Sequence, residues 1–357
     1  MKKLILSVLC LLLIVVPVAE AAQEMEVSTW QKQTGNYKEA KFESMDFGPK
    51  LLFSDSPEMV TSQGIMYQDV VEGDVRIFFH HVNATQTVKK LAIIVHNKGF
   101  RPMQMTRGQY GVSKPSKDWL YAGKEVQVQY FTPQLPETLT LPLNGEIELL
   151  THKSGVNFRP GELVTGMLDL HFSEPVAVTV LMTELGNNVF AASEQLAILP
   201  PDSGKVLRGT FLKANRRIKV KSVYKTGKKD LAVLLADDKV DKFLTGIDAT
   251  TGKSTTNYGN YGVVYEVAYR FKSKKEGVVL GFNPWGGIYA GAGLTGLGES
   301  AELELIPPQQ VSFGKTGKEM LVLEVLQPTS DGNFVFSPPG SSNLPIRLIL
   351  KTNQTEK

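Results

Sequence analysis

The segment VRIFFHH, residues 75–81, decides the fold class. Its side chains alternate along the chain with the period of a half-buried β-strand. A second apolar segment, VKKLAIIVH at residues 88–96, follows the turn-forming residues 83–86 and is predicted to be its antiparallel partner. Similar short segments, separated by Gly, Pro, Asn and Asp, continue through most of the chain. Residues 125–131 are predicted as one such strand, and a single short helix is predicted at residues 238–244. The sequence therefore predicts an all-β fold of the β-sandwich kind.

The length of the chain and its strongest break predict two β-sandwich domains in tandem. A chain of 357 residues is longer than one hydrophobic core usually serves. The segment LPPDSG at residues 199–204 contains two prolines, which do not fit a central strand, and then turn-forming residues. We expect one sandwich over residues 48–199 and a second over residues 205–352. Residues 22–47 are polar and are predicted as a linker or a loosely docked arm.

The N-terminus has the pattern of a secretory signal peptide. Basic residues 2–3 precede the apolar residues 4–16, and the small residues Ala19 and Ala21 suit cleavage after Ala21. The apolar run is shorter than the roughly 20 residues that a membrane-spanning helix needs. We therefore expect a cleaved signal peptide at residues 1–21 and a secreted, extracellular or cell-wall-associated protein. No transmembrane span is expected in the mature chain.

Charge and metal-ligating residues argue against several classes of function. The formal net charge is only +3, which gives no reason to expect a nucleic-acid partner. The single cysteine lies within the apolar run, so the mature chain offers neither a disulfide nor a thiolate metal ligand. His80 and His81 face opposite sides of one predicted strand, and His96 lies near the far end of its predicted partner. We predict no metal site and no cofactor, although a site between domains that uses His152 or His171 stays open.

A glycine-rich run, GFNPWGGIYAGAGLTGLG at residues 281–298, has the most unusual composition in the chain. Residues 291–296 match the dinucleotide fingerprint G-x-G-x-x-G, but a strand-like pattern follows them and no βαβ unit surrounds them. The run is therefore predicted to connect two strands. Aromatic rings beside accessible backbone suit stacking on a sugar ring or a peptide, whereas glycines in β-proteins also mark corners where aromatic side chains pack. The candidate contact residues are Tyr258, Tyr261, Trp285 and Tyr289.

A basic strand face is the second candidate surface. Residues 213–229 contain eight basic residues, and Arg217, Lys219 and Lys221 alternate with apolar or small side chains. This pattern is typical of a sheet edge that lysine protects against aggregation. The alternative is a contact for an anionic cell-wall polymer, which salt would weaken.

The acidic residues form no recognisable catalytic pair. Glu302 and Glu304 share one predicted strand face, and Glu266 lies among apolar residues. A glycosidase needs two carboxyl groups on either side of a sugar bond, which sequence spacing does not show. We expect a non-enzymatic protein that binds a cell-envelope polymer or a surface protein. The alternatives are a carbohydrate-active hydrolase with carboxylates from separate strands and a purely structural envelope scaffold.

Several short phrases together resemble a family of exported proteins from Gram-positive (Firmicute) bacteria. Among them are RIFFHHVNAT at residues 76–85, LRGTF at 207–211, NYGNYGVVYEV at 257–267 and PPGSSNLP at 338–345, and the resemblance extends over about residues 51–350. Members often carry a stalk module similar to the copper amine oxidase N-terminal domain. That module is not seen here, so copper binding is not carried over. The resemblance implies a secreted or surface-exposed all-β protein with no assigned activity.

Overall fold

The structure is a computed structural model and describes residues 30–32, 37–273, 277–326 and 331–353. Of the first three residues it describes the backbone alone. The signal peptide expected at residues 1–21 lies outside the described residues. Within the described part of the chain, no helix is long and apolar enough to cross a membrane.

The described residues form an all-β fold, which confirms the predicted fold class. Strands arranged in three sheets dominate, and two short α-helices accompany them. The first half of the chain contains β1 Trp30–Lys32, β2 Tyr37–Glu39, β3 Phe42–Phe47, β4 Lys50–Ser54, β5 Met59–Val60, β6 Gly64–Asn83, β7 Lys89–Asn97, β8 Met103–Val112, α1 Trp119–Phe131, β9 Glu137–Leu141, β10 Glu146–Glu148, β11 Val156–Phe158, β12 Leu163–Glu184 and α2 Val189–Gln195. The second half contains β13 Arg208–Phe211, β14 Asn215–Lys225, β15 Asp230–Leu235, β16 Thr245–Asp248, β17 Lys253–Thr256, β18 Val264–Lys272, β19 Val278–Asn283, β20 Gly291–Thr295, β21 Glu302–Ile306, β22 Glu319–Leu326, β23 Asp331–Phe336 and β24 Ile346–Thr352.

A twelve-stranded sheet forms the N-terminal sandwich by folding over on itself. Its two longest strands, β6 and β12, pair along most of their length, and both are irregular at the same level of the ladder. Gly73 in β6 has a φ of +76°, which glycine adopts without strain. Opposite it, the register shifts between Phe172 and Val176, and such irregularities bend a strand. Apolar side chains from both halves of this pair, such as Tyr67, Ile77 and Val178, therefore lie in one core.

The hairpin predicted between residues 75–81 and 88–96 does not form. β12 lies between β6 and β7 in the sheet and pairs with both of them. Each of the two predicted segments is buried along most of its length and needs a neighbour on both sides. The 22-residue strand β12 forms a longer ladder of backbone hydrogen bonds with β6 than β7 would. β6 therefore pairs with β12, which is distant in sequence, rather than with β7.

Two six-stranded sheets pack face to face and form the C-terminal sandwich. One sheet has the strand order β1-β22-β19-β24-β15-β2, and the other has the order β21-β20-β23-β18-β14-β3. The segments 37–39 and 42–47, expected within a polar linker or a loosely docked arm, are edge strands of these sheets. Backbone pairing with β14 and β15 fixes them, and Phe42 adds a side chain to the core. The facing side chains of this core include Val233, Leu280, Leu348, Val267, Phe334 and Phe336.

The two sandwiches are joined over a broad surface. β4 pairs with β13, and β13 pairs with β16, so three strands beyond the predicted boundary at residues 199–205 extend the twelve-stranded sheet. The second face of β6 is also buried, because Phe78 packs in the core of the C-terminal sandwich. The division of the chain into two independently folding units stays a prediction.

Residues 125–131, predicted as a strand, belong to helix α1. The Asp118 side chain caps its start by accepting a hydrogen bond from the Tyr121 backbone N–H. Ala122, Val126 and Tyr130 recur every four residues and are buried, which is the spacing of one helix face. The valines and aromatic side chains of this segment favour a strand by intrinsic preference, and tertiary packing overrides that preference.

The helix predicted at residues 238–244 does not form. The Asp237 side chain accepts hydrogen bonds from three successive backbone N–H groups instead. Ala236 and Asp238 have positive φ angles of 55° and 58°, which a continuing α-helix does not contain. Aspartate therefore builds a local turn here rather than a helix cap.

Candidate functional site

A solvent-open cavity of about 300 Å³ lies where the two sandwiches meet. Gly48 and Pro49 in its wall join β3 of the C-terminal sandwich to β4 of the N-terminal sandwich. Cavities at such junctions are frequent ligand sites. We call it the Asp169 cavity, and its wall consists of Gly48, Pro49, Asp74, Val75, Thr106, Gly108, Pro136, Asp169, Leu170 and His171.

The register between β6 and β12 brings the polar groups of the cavity together. Asp169 lies opposite Arg76, and His171 lies opposite Asp74. Alternate residues of a strand share one face of the sheet. Two residues from each strand therefore form a single patch of four ionisable side chains.

Asp169 is held rigidly from behind by two partly or fully buried groups. The Arg76 guanidinium donates Nε to Oδ1 at 2.6 Å and Nη2 to Oδ2 at 2.9 Å. The Tyr130 hydroxyl donates to Oδ2 at 2.8 Å. The Arg76 side chain is only 2% exposed whereas that of Asp169 is 30% exposed. The result is a fixed carboxylate that still presents part of its surface to the cavity.

Arg76 also ties the cavity to the C-terminal sandwich. Its Nη1 donates to the Ala214 carbonyl at 2.8 Å and to Asn215 Oδ1 at 2.9 Å. Burial alone would lower the pKa of Arg76, but the neighbouring Tyr130 and Asp169 raise that pKa above its ordinary value. The guanidinium is therefore a permanent positive charge, satisfied on both sides of the junction.

The rim of the cavity carries a second polar pair, which is exposed. His171 Nδ1 lies 2.7 Å from Asp74 Oδ1, and the two side chains are 54% and 76% exposed. Exposed pairs of this kind contribute at most about 1 kcal/mol to folding. Both side chains are consequently free to exchange their mutual contact for contacts with a ligand.

The cavity contains two carboxylates, as a retaining or inverting glycosidase would require. Asp74 and Asp169 occupy diagonal positions on neighbouring strands, which are about 7–8 Å apart in antiparallel sheets. Glycosidase carboxyl groups lie about 5–10 Å apart. Each carboxylate already has a partner: the Arg76 guanidinium binds Asp169, and the His171 imidazole is in hydrogen-bond contact with Asp74. Both carboxylates therefore act as hydrogen-bond acceptors.

The structure places Trp285 and Tyr289 of the glycine-rich run in different environments. Trp285 is 46% exposed, and the Arg347 guanidinium lies 3.7 Å from its ring centroid. Tyr289 is fully buried, with its ring centroid 4.7 Å from that of Phe282. Tyr289 is thus a core residue, which corrects its assignment as a contact residue. Trp285 keeps one ring face for a partner because Arg347 covers the other.

Tyr258 and Tyr261 are half-buried. The Tyr261 hydroxyl donates to the Ser342 carbonyl at 3.0 Å, and burial raises the pKa of Tyr261 above its ordinary value. The Lys205 amine lies 4.8 Å from the Tyr258 ring centroid, and Phe243 packs on that ring edge to face. Neighbours within the chain therefore occupy much of the surface that these rings would offer to a ligand.

The glycines of the run permit backbone to pack on backbone. A Cβ at Gly286 would lie 2.2 Å from the Leu344 carbonyl oxygen, and one at Gly293 would lie 2.7 Å from the Val335 carbonyl oxygen. Residues 291–296 include strand β20, and β21 follows after one short 3₁₀ turn. Residues 284–290 of the run connect β19 to β20, whereas residues 281–283 and 291–295 belong to those strands. Close packing accounts for the composition of the run.

The basic face of β14 is largely neutralised by neighbouring carboxylates. Arg217 lies 2.6 Å from Glu266, and Lys221 lies 2.6 Å from Glu43. Lys219 between them is exposed. β14 lies between β18 and β3 and is not an edge strand, so the edge-protection interpretation is wrong. The pairing of charges leaves little excess positive potential for an anionic polymer.

Sequence reasoning missed Asp169, Arg76 and Tyr130 as site residues. A usable signal was present in the two strands, because Asp74 with Arg76 and Asp169 with His171 place charges at alternate positions among apolar residues. A charged face on an otherwise buried strand indicates a polar junction or a site. What the sequence does not reveal is that these two strands are neighbours.

Comparisons with known proteins do not identify a family. No family model matches the sequence, and no curated protein matches it. Among solved structures, vicilin from Capsicum annuum aligns over 85% of this chain and 85% of its own chain, with 9% identity and a TM-score of 0.13. Similarity that low carries no argument about fold or function.

Proposed function

We propose that the protein is a secreted or cell-envelope-associated, non-enzymatic binding protein that holds a polyhydroxylated segment of an envelope polymer in the Asp169 cavity. The observation that carries this proposal is the fixed carboxylate of Asp169, anchored by Arg76 and Tyr130 and open to the cavity. A rigid acceptor needs little ordering when a ligand binds. Sugar hydroxyl groups are suitable donors to it.

The walls of the cavity fit the same class of ligand. Pro49 and the exposed Pro136 supply apolar surface beside the polar groups, and sugar rings present C–H faces that pack on such surface. Asp74 and His171 at the rim add further hydrogen-bonding groups. A mostly apolar wall with a few fixed polar groups is the usual composition of a ligand site.

Export is supported by the signal-peptide pattern at residues 1–21.

The half-exposed Trp285 is retained as a second contact surface for the same polymer or for a surface protein, because it is the one predicted aromatic contact with a substantial exposed ring. The basic residues Arg217, Lys219 and Lys221 are given a minor role, since carboxylates pair with two of them.

Hydrolysis of a carbohydrate is the second candidate function, and the shared position of Asp74 and Asp169 in one cavity favours it. The two functions are separated by incubating the protein with purified wall polysaccharide and measuring newly formed reducing ends. A binding protein releases none. Release that Asp74→Asn abolishes would establish the hydrolase instead.

The binding proposal is tested by retention of the purified mature protein on peptidoglycan and on isolated wall polymers. We expect His171→Ala to weaken retention about twofold to tenfold, as the loss of one hydrogen bond does. His152→Ala, at an exposed histidine outside the cavity, is the matched control and should bind like the wild type. Equal binding by all three proteins would rule out the cavity, and no binding by any would favour the structural scaffold.

A further inference from the structure

Three side chains of metal-ligating type meet on the N-terminal sandwich, away from the Asp169 cavity. His96 comes from β7, Glu146 from β10 and Glu194 from helix α2. One ligand atom of each lies within 4.8 Å of the other two. We propose that these three residues form a binding site for a divalent first-row transition cation, of which Zn²⁺ is the representative.

The backbone fixes two of the ligands before any ion binds. His96 and Glu146 are directly opposite each other in the antiparallel register of β7 and β10. Their side chains are 17% and 24% exposed, and His96 Nδ1 lies 3.3 Å from Glu146 Oε1. A preformed imidazole–carboxylate pair therefore requires little rearrangement to accept an ion.

Helix α2 supplies the third ligand from a docked position. The Asn188 side chain caps the helix by accepting hydrogen bonds from two backbone N–H groups. Val189 and Ala192 on the same helix pack into a small apolar cluster of the sandwich. Glu194 is exposed, so its carboxylate rotates freely enough to close on an ion that enters from solvent.

A second sign of a cation site is the oxygen Glu146 Oε1. It is buried and accepts no hydrogen bond of good geometry, although His96 Nδ1 lies 3.3 Å away. A buried carboxylate oxygen without a hydrogen bond is costly. A cation bound to imidazole and carboxylate at about 2.0–2.2 Å from each ligand atom would supply the partner.

The ligand set selects the class of ion. One imidazole nitrogen with two carboxylate oxygens suits zinc and its first-row neighbours. Calcium and magnesium prefer sites made of oxygen ligands alone. Two ligand atoms that share a tetrahedral ion lie about 3.4 Å apart at these bond lengths. The separations of up to 4.8 Å therefore close when the exposed Glu194 moves by about 1–1.5 Å.

The prediction of no metal site depended on a pairing that does not occur. In the predicted hairpin His96 lay on a strand beside β6, far from other ligands. In the structure its strand lies beside β10 and near α2. The inference does not depend on the proposed binding function.

The test is titration of chelator-treated mature protein with Zn²⁺ by calorimetry and with Co²⁺ by visible absorption. We expect one bound ion per chain and a Co²⁺ spectrum that shows nitrogen and oxygen ligation. Glu194→Gln removes an exposed ligand without disturbing the core, and His96→Ala removes the imidazole. Each change should weaken binding by at least about tenfold, since even groups that only orient a ligand are worth that much.

The matched control is His171→Ala. His171 also pairs with a carboxylate, at 2.7 Å, but it belongs to no set of three ligands among the described residues. This variant should bind Zn²⁺ like the wild type. The proposal is overturned if the wild type binds no stoichiometric ion, if Glu194→Gln binds as tightly as the wild type, or if His171→Ala loses as much affinity as His96→Ala.

Discussion

The Asp169 cavity and the glycine-rich run at residues 281–298 differ in what their functional-looking side chains contact. In the run, Tyr289 is in the core and Arg347 covers one face of Trp285. In the cavity, Asp169 is anchored from behind and keeps part of its surface in solvent. The unusual composition of the run arises from close packing, whereas the cavity is built from ordinary residues. Unusual composition is therefore a poorer guide to a site than the position of charges on buried strands.

The largest loss of folding stability is expected from replacing Arg76, which holds Asp169 in the wall of the cavity. Arg76→Ala would leave Asp169 and Tyr130 without their cation and would remove the Nη1 hydrogen bonds to the Ala214 carbonyl and to Asn215 Oδ1. Breaking one side of a buried ion pair costs about 3–5 kcal/mol, and denaturant unfolding measures it. Arg217→Ala is the control because the Arg217 and Glu266 side chains of its ion pair are 50% and 30% exposed, and its loss should cost about 1 kcal/mol or less. Equal costs would show that the Arg76 pair does not frame the cavity.

Because the glycines of the run allow close packing, replacing one of them should cause a smaller loss of folding stability. Gly286→Ala would place a Cβ 2.2 Å from the Leu344 carbonyl oxygen, so the chain must move at a cost of about 1–3 kcal/mol. Gly186→Ala is the matched control, because a Cβ there meets nothing within 4 Å and its φ is not positive. Thermal unfolding of both variants checks the difference. A Gly286→Ala protein as stable as Gly186→Ala would reopen the run as a functional loop.

The buried histidines of β6 predict a dependence of stability on pH. Burial lowers the pKa of His80 to about 3 and that of His81 to about 4. Between pH 6.5 and about 4 the unfolded chain binds protons at these positions and the folded chain does not, so acidification destabilises the fold. We compare the free energy of unfolding of the wild type with that of the double variant His80→Gln, His81→Gln. The difference in favour of the wild type should fall by about 1 kcal/mol for each histidine and each unit that the pH is lowered.

Denaturant unfolding of both proteins at pH 7, 6 and 5 measures this difference in the free energy of unfolding. Burial raises the pKa of Asp55 and Glu58 nearby, which acts in the opposite direction but is common to both proteins. If the difference in the free energy of unfolding stays constant between pH 7 and pH 5, these histidines are accessible to protons in the folded state. The part of β6 at the junction of the two sandwiches would then be less tightly packed than the cavity requires.

The class of the fold was predictable because strand alternation and turn residues are local signals. The connection made by the glycine-rich run was predictable for the same reason. Helix α1 was not, since its valines and aromatic side chains favour a strand, although Ala122, Val126 and Tyr130 have helical spacing.

The candidate site was less predictable because it depends on contacts between distant parts of the chain. Arg76 and Asp169 are separated by 93 residues, and only the register of β6 with β12 brings them together. His96, Glu146 and Glu194 likewise meet only once β10 and α2 have been placed. Local patterns do not determine which strands become neighbours.

The most direct test of the central claim compares the cavity and the run in one binding measurement. Retention on purified wall polymer is measured for the wild type, for His171→Ala and for Trp285→Ala, with stability checked for each protein. We expect the larger loss, about twofold to tenfold, from His171→Ala and a smaller loss from Trp285→Ala. Loss confined to Trp285→Ala, with His171→Ala binding like the wild type, would contradict the account and return the function to the glycine-rich run.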